Sequence, residues 1–364
     1  VIQVSRRVVL LSAAAVMLTL VAVEVALRLV AIPSVEIHRR AGARASNPRF
    51  FEHEPHLGWR GRASAHGAFA GWEFDSHVRL NAHGFRDVEL EAVKPPGVSR
   101  IVLLGDSITW GHGVEASQRF GDRVAAVLRR RGERVQVVNL AVSGYGTDQE
   151  LLLWQREGPR HCADLVLLGL YENDVRENAA AFQGHHPKPY FRLSDDRTLT
   201  LENVPVPRVA DEPVPPPRAG VPGWMRSHLR IWAVAAFLRE AVRGHHGPPP
   251  VPPEVPPGSV ELTAALIRRL GAEVRGAGSA FGLVVLPDVL YAASSLEAAA
   301  GSGVEARLDL APSFRRAEAV HVKLFYRLDG AHWTAAAHAV AANAIAEWIV
   351  AAKLLPASPR VCGR

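Results

Sequence analysis

Three short apolar runs, each closed by small or polar residues, most constrain what this chain can fold into. Residues 100–104 (RIVLL) stop at Gly105, and 135–140 (VQVVNL) lead to Ser143-Gly144-Tyr145-Gly146. Residues 164–170 (DLVLLGL) give way to Tyr171-Glu172-Asn173-Asp174. Helical patterning follows the first run over about 120–131 and the second from Gln149. Continuous apolar runs of strand length are buried on both faces, and helices between them supply the crossovers of a parallel sheet. Residues 281–287 (FGLVVLP) add a later strand, preceded by a helix over 260–276, and a closing helix runs over 332–352. The expected class is α/β with a central parallel sheet.

A second apolar run is of another kind. Residues 8–32 are apolar apart from Ser12, Thr19, Glu24 and Arg28. About 20 helical residues cross a bilayer core, so this stretch is long enough to span. Glu24 and Arg28 stand four apart on one helix face, close enough to pair. A cleaved signal peptide is the rival reading, but Ala26 and Ala31 follow Glu24 and Leu29 rather than small residues. A buried core helix is disfavoured by the lack of a polar stripe over 8–18. The expectation is a transmembrane signal-anchor at 8–32 behind a short basic tail at 1–7, with the large domain exported. Arg6 and Arg7 precede the span while Arg39, Arg40 and Arg44 follow it, so charge alone does not set the orientation.

Of the 364 residues, 48% are hydrophobic and 21% charged, which excludes a disordered chain. Lys and Arg exceed Asp and Glu by 42 to 36, a net +6. The excess is mostly arginine, dispersed in pairs such as Arg268-Arg269 and Arg315-Arg316, with no base-reading motif beside it. No nucleic-acid partner is therefore expected. Cys162 and Cys362 permit one bridge but no disulfide framework. No CxxC or HExxH is present, and His185-His186 and His245-His246 sit in loops, so no metal or other cofactor is expected.

Residues 33–99 read as an irregular lead-in, and 100–355 as the main domain. Within it, the block at about 176–258 breaks the strand–helix rhythm with proline runs at 213–217 and 248–257, which are stiff linker material. Between them 224–243 is amphipathic, with Leu229, Trp232, Ala233, Ala236 and Phe237 near one face. It suits a lid, a membrane-facing helix or a helix packed on the sheet.

Ser107 follows Gly105-Asp106 where the first strand turns into a helix, at the sheet edge where α/β proteins bind ligands. Gly-Asp-Ser alone is an ordinary turn sequence. Asp329-Gly330-Ala331-His332 stands before the closing helix, where an Asp can fix the tautomer of a catalytic His. Gly144 after the second strand and Asn173 after the third could supply a backbone N–H and a side-chain amide to a developing oxyanion. Each residue alone also fits a turn or cap, but four such features share one expected edge.

In this order the blocks resemble the SGNH branch of the GDSL hydrolases. Gly105-Asp106-Ser107-Ile108 matches the first block, with Ile in place of Leu. Gly144 matches the second and Asn173-Asp174 the third, with Tyr171 where a glycine is common. Asp329 and His332 match the last. The flanks Asn81-Ala82-His83-Gly84-Phe85-Arg86, Gly111-His112-Gly113-Val114 and Asp148-Gln149 are similar to a membrane-anchored bacterial subgroup.

The resemblance implies a flavodoxin-like three-layer α/β/α sandwich. It implies Ser107 as nucleophile, His332 as base and Asp329 as its orienting carboxylate. The oxyanion hole would comprise the Ser107 and Gly144 N–H groups and the Asn173 amide. An α/β-hydrolase needs Gly-x-Ser-x-Gly, and Thr109 stands in place of the second glycine. The expected activity is a membrane-tethered esterase acting on acylated envelope glycans or lipid esters. An O-acyltransferase using the same residues and a catalytically silent envelope-binding module are the alternatives.

Overall fold

The chain divides into two units, one of Val1–Ser46, Phe69–Asp75 and Glu212–Val251 and one of the remaining residues. This computed structural model describes residues 5–29, 50–71, 73–89, 93–209, 255–289, 294–301, 304, 306–326 and 332–361. It also describes 229–232, 234, 235 and 238. Asp329, Cys362, residues 33–49, the first proline run and residues 248–254 of the second lie outside the described residues.

In the smaller unit, helix α1 spans Arg6–Leu29, and its length and composition suffice to cross a membrane. Glu24 accepts a hydrogen bond from Arg28 Nε at 2.9 Å, as their four-residue spacing predicts. The same carboxylate accepts the backbone N–H groups of Arg230 at 3.0 Å and Ile231 at 2.9 Å. These open the helical stretch of the amphipathic segment, whose first amides have no partner within their own helix. Arg230 donates in return to the carbonyls of Leu27 at 2.8 Å and Arg28 at 3.0 Å. Ala233, Ala236 and Phe237 of the expected apolar face lie outside the described residues.

Much of the expected irregular lead-in is strand. β1 (Phe51–Glu54) pairs antiparallel with β2 (Gly58–Gly61), and β3 (His66–Ala70) pairs with β4 (Asp75–Arg79). Strands of four or five residues are too short for a period of two to stand out in the sequence.

The α/β body begins with β5 (Ser99–Leu104), the short helix α2 (Ser107–Trp110), α3 (Phe120–Arg130) and β6 (Val135–Asn139). It continues through α4 (Thr147–Glu157), β7 (Leu165–Leu170) and α5 (Glu172–Glu177). Two small hairpins follow, β8 (Phe182–Gln183) with β9 (His186–Pro187), and β10 (Tyr190–Leu193) with β11 (Leu199–Glu202). The body closes with α6 (Ser259–Gly276), β12 (Ala280–Val285), α7 (Ser294–Ala300), β13 (Arg307–Asp309), α8 (Ala311–Ala319) and α9 (Ala335–Ala351).

One five-stranded sheet runs β13-β12-β7-β5-β6, and every pairing in it is parallel. Counted within the sheet, that order is the flavodoxin-like 2-1-3-4-5. Successive side chains of β5 serve opposite faces, as a period of two requires. Val102 and Leu104 pack with Leu151 and Trp154 of α4, Leu266 of α6 and Ala299 of α7. Ile101 and Leu103 pack with Val124 and Leu128 of α3, Phe314 of α8 and Ile345 of α9. The body is therefore a three-layer α/β/α sandwich. The strand order reverses between β5 and β7, since the chain adds β6 on one side of β5 and β7, β12 and β13 on the other, which opens a crevice at the carboxyl ends of β5 and β7.

Candidate active site

β5 delivers the chain to that crevice. A Cβ on Gly105 would lie 2.2 Å from Thr109 Oγ1, so only glycine lets the turn fold this tightly. Asp106 caps α2, its Oδ1 accepting the N–H of Ile108 at 2.9 Å. Ser107 is half-buried while Asp106, Ile108 and Thr109 are buried, so the serine is the residue this turn presents. Helix α2 ends at Gly111, which takes the left-handed conformation at φ 89°.

His332 Nε2 lies 2.9 Å from Ser107 Oγ, across 225 residues of sequence. The histidine is not on the closing helix, as the sequence suggested, but just ahead of it. Thr334 is the N-cap of α9, so His332 sits in an extended approach held by a bridge between Phe325 and Trp333. Trp333 Nε1 donates to Pro287 O at 3.1 Å beyond β12, and Tyr326 N donates to His332 O at 3.1 Å.

Gly144 has φ 82°, the left-handed region that favours glycine, in the loop after β6. That loop is fastened to the serine turn. Val142 N donates to Gly105 O at 3.1 Å, and Asn139 Nδ2 donates to Thr109 O at 2.8 Å. Trp59 of β2 donates its indole N–H to Ser143 O at 3.1 Å and flanks Gly144. Asn173 lies in the first turn of α5, directly after β7, the strand paired with β5. Ser107, Gly144, Asn173 and His332 are all half-buried.

Behind this edge lie several acids. Burial pushes Asp106 up to about 6, while the Ile108 N–H and the nearby His332 pull it down. Burial and the neighbouring Asp106 hold Asp174 well above the usual carboxylate range. Burial, Asp174 and Asp106 do the same to Glu150, neither of whose carboxyl oxygens has a hydrogen-bond partner among the described residues. Asp148 pairs with Lys188, both fully buried. No group of three His, Cys, Asp or Glu among the described residues is arranged to hold a metal ion.

Several neighbours carry no reactive signature in the sequence. Arg86 is buried beneath the 111–114 loop, donating to Gly111 O and to Val114 O at 2.7 Å, with its guanidinium 4.7 Å from the Trp110 ring centre. Burial and the adjacent Arg119 lower it to about 9. His112 stacks on His332, and Glu177 accepts from Asn173. The Arg86 and His112 flanks stand out in the sequence only through the family resemblance. Cys162 is disulfide-bonded.

No curated protein sequence matches the chain. Among solved structures it is similar to the psychrotrophic esterase EstA from Pseudoalteromonas sp., at 10% identity and TM-score 0.37, covering 70% of this chain and 98% of that one. TesA aligns at 15% identity and TM-score 0.36, over 69% and 98% of the two chains. An acetyl xylan esterase from Geobacillus stearothermophilus aligns at 14% identity and TM-score 0.38, over 69% and 94%. The GDSL-like lipase/acylhydrolase family matches residues 103–340, most of the chain, and the protein belongs to that family of serine hydrolases acting on ester bonds.

Proposed function

We propose that Ser107 is the nucleophile and His332 its general base in a membrane-tethered esterase. The observation that carries this is the 2.9 Å contact between Ser107 Oγ and His332 Nε2 at the sheet's topological switch point. Neutral His332 accepts the Ser107 proton as Oγ attacks the ester carbonyl. The backbone N–H groups of Ser107 and Gly144 and the Asn173 amide receive the oxyanion. Collapse of the tetrahedral intermediate breaks the C–O bond, and His332 returns the proton to the departing alcohol. Water, deprotonated by the same imidazole, then releases the acid from the acyl-serine. Asp329 orients His332 and balances the imidazolium. We assign Asp106 as the cap of the serine turn, where its Oδ1 accepts the Ile108 N–H, and the orienting carboxylate to Asp329.

The substrate class we favour is an O-acylated glycan of the cell envelope. Half-buried Trp59 stands beside Gly144 with the His186 ring 6.0 Å away and Gln183 adjacent. An aromatic face bordered by an amide and an imidazole suits a sugar ring better than an acyl chain. Helix α1 would hold the enzyme at the membrane. The test is product analysis with an acetylated glycan and an acetylated phospholipid. Free acetate from the glycan, lost in Ser107→Ala, is the expected result. Turnover of the lipid ester alone, or acetyl groups moved to an acceptor sugar without free acetate, contradicts the proposal.

A further inference from the structure

The His112 ring lies 3.7 Å from the His332 ring, centre to centre, with the two planes 11° apart. We infer that His112 is a positioning residue for the base, holding the His332 imidazole in the plane that aims Nε2 at Ser107 Oγ. This rests on the assignment of Ser107 and His332 above.

A flat ring in van der Waals contact restricts its neighbour's rotation about χ2, which is otherwise broad for histidine. The stack helps only if His112 is itself fixed, and its surroundings fix it. Its backbone N–H donates to Ser107 O at 2.9 Å, so the backbone that carries the ring is placed by the same turn that places the nucleophile. On either side, Gly111 and Val114 give their carbonyls to buried Arg86. Gly113 O accepts from the Tyr326 hydroxyl at 2.9 Å, and Tyr326 N donates to His332 O at 3.1 Å. One continuous strap therefore joins the loop bearing His112 to the segment bearing His332. A misplacement of about 1 Å in a base costs about 100-fold in rate, so a ring that prevents it has a measurable effect.

The test compares His112→Ala, His112→Leu and His112→Phe in the full-length protein. The readouts are kcat and KM for p-nitrophenyl acetate, the rate of fluorophosphonate labelling, and Tm. Alanine and leucine are expected to lower kcat and labelling about 10- to 100-fold with KM within about twofold. Phenylalanine, which keeps a flat ring without nitrogens, is expected to recover most of that loss. Leucine matching the wild type, a change confined to KM, or phenylalanine as impaired as alanine would each overturn the proposal. A loss of kcat that tracks the fall in Tm across the three variants would overturn it too. If folded wild-type protein neither turns over the ester nor labels at Ser107, the assignment of Ser107 and His332 fails first and this proposal with it.

Discussion

Asn173 donates a side-chain N–H to Glu177 Oε2 at 3.0 Å, one turn further along α5. The bond fixes the amide plane and leaves its second N–H for the oxyanion of the proposed mechanism. Asn173→Ala should therefore lower kcat about 100- to 1000-fold with little change in KM, the usual signature of a lost oxyanion donor. Steady-state kinetics on p-nitrophenyl acetate check it, and an effect on KM alone would remove Asn173 from the oxyanion hole.

Burial pushes Glu177 up to about 7 from an ordinary value of 4.5, and the nearby Arg176 only partly offsets this. The folded protein then keeps a proton at Glu177 that the unfolded chain has lost. That contribution to stability falls as pH rises from about 4.5 to about 7 and is flat above. Asp106, pushed up to about 6, acts in the same direction. Glu177→Gln, which cannot ionise, should gain on the wild type in Tm between pH 5 and pH 8 by the equivalent of roughly 1–3 kcal/mol. A Tm difference that does not change with pH would show that Glu177 titrates normally.

The ion pair of Lys188 with Asp148 fastens the start of the insertion to α4 with both side chains out of water. Lys188→Met strands a buried carboxyl and should destabilise the protein by about 3–5 kcal/mol, while adding Asp148→Asn should restore part of the loss. Urea unfolding of the single and double variants measures both. Additive losses would mean that the pair is not coupled.

Glu24 reaches Arg28 and the amides of Arg230 and Ile231 only in a chain that retains its first helix. If helix α1 is the anchor proposed above, the mature protein keeps residues 1–29 and stays with membranes after carbonate extraction. N-terminal sequencing of the cellular protein decides the matter, and a mature chain beginning beyond Leu29 contradicts this reading.

The sheet was the most legible part of the sequence. β7, β12 and the Ile101–Leu104 part of β5 are uninterrupted apolar runs, because strands buried on both faces leave little room for polar residues, whereas β6 at the sheet edge is half-buried at Gln136 and Val137 and still reads as a strand from its valines. β13 has no such run, because Arg307, Leu308 and Asp309 form a half-buried edge strand. The short ribbons of the lead-in were hidden for a similar reason, since half-exposed strands of four residues show little period. Ser107, Gly144, Asn173 and His332 were legible because each follows a strand or precedes a helix at one sheet edge. Arg86 and His112 stand out in the sequence only as part of family-like flanks, and Glu177 not at all, because their neighbours are set by contacts that only folding creates. Arg86, for instance, meets carbonyls 25 and 28 residues away.

The proposed chemistry requires Ser107 to be a nucleophile activated by His332. The most direct measurement is labelling of the folded protein with a fluorophosphonate, followed by peptide mass spectrometry. One adduct is expected, on Ser107, absent in Ser107→Ala and slowed at least about 100-fold in His332→Ala. An adduct on another serine, or equal labelling in His332→Ala, would contradict it.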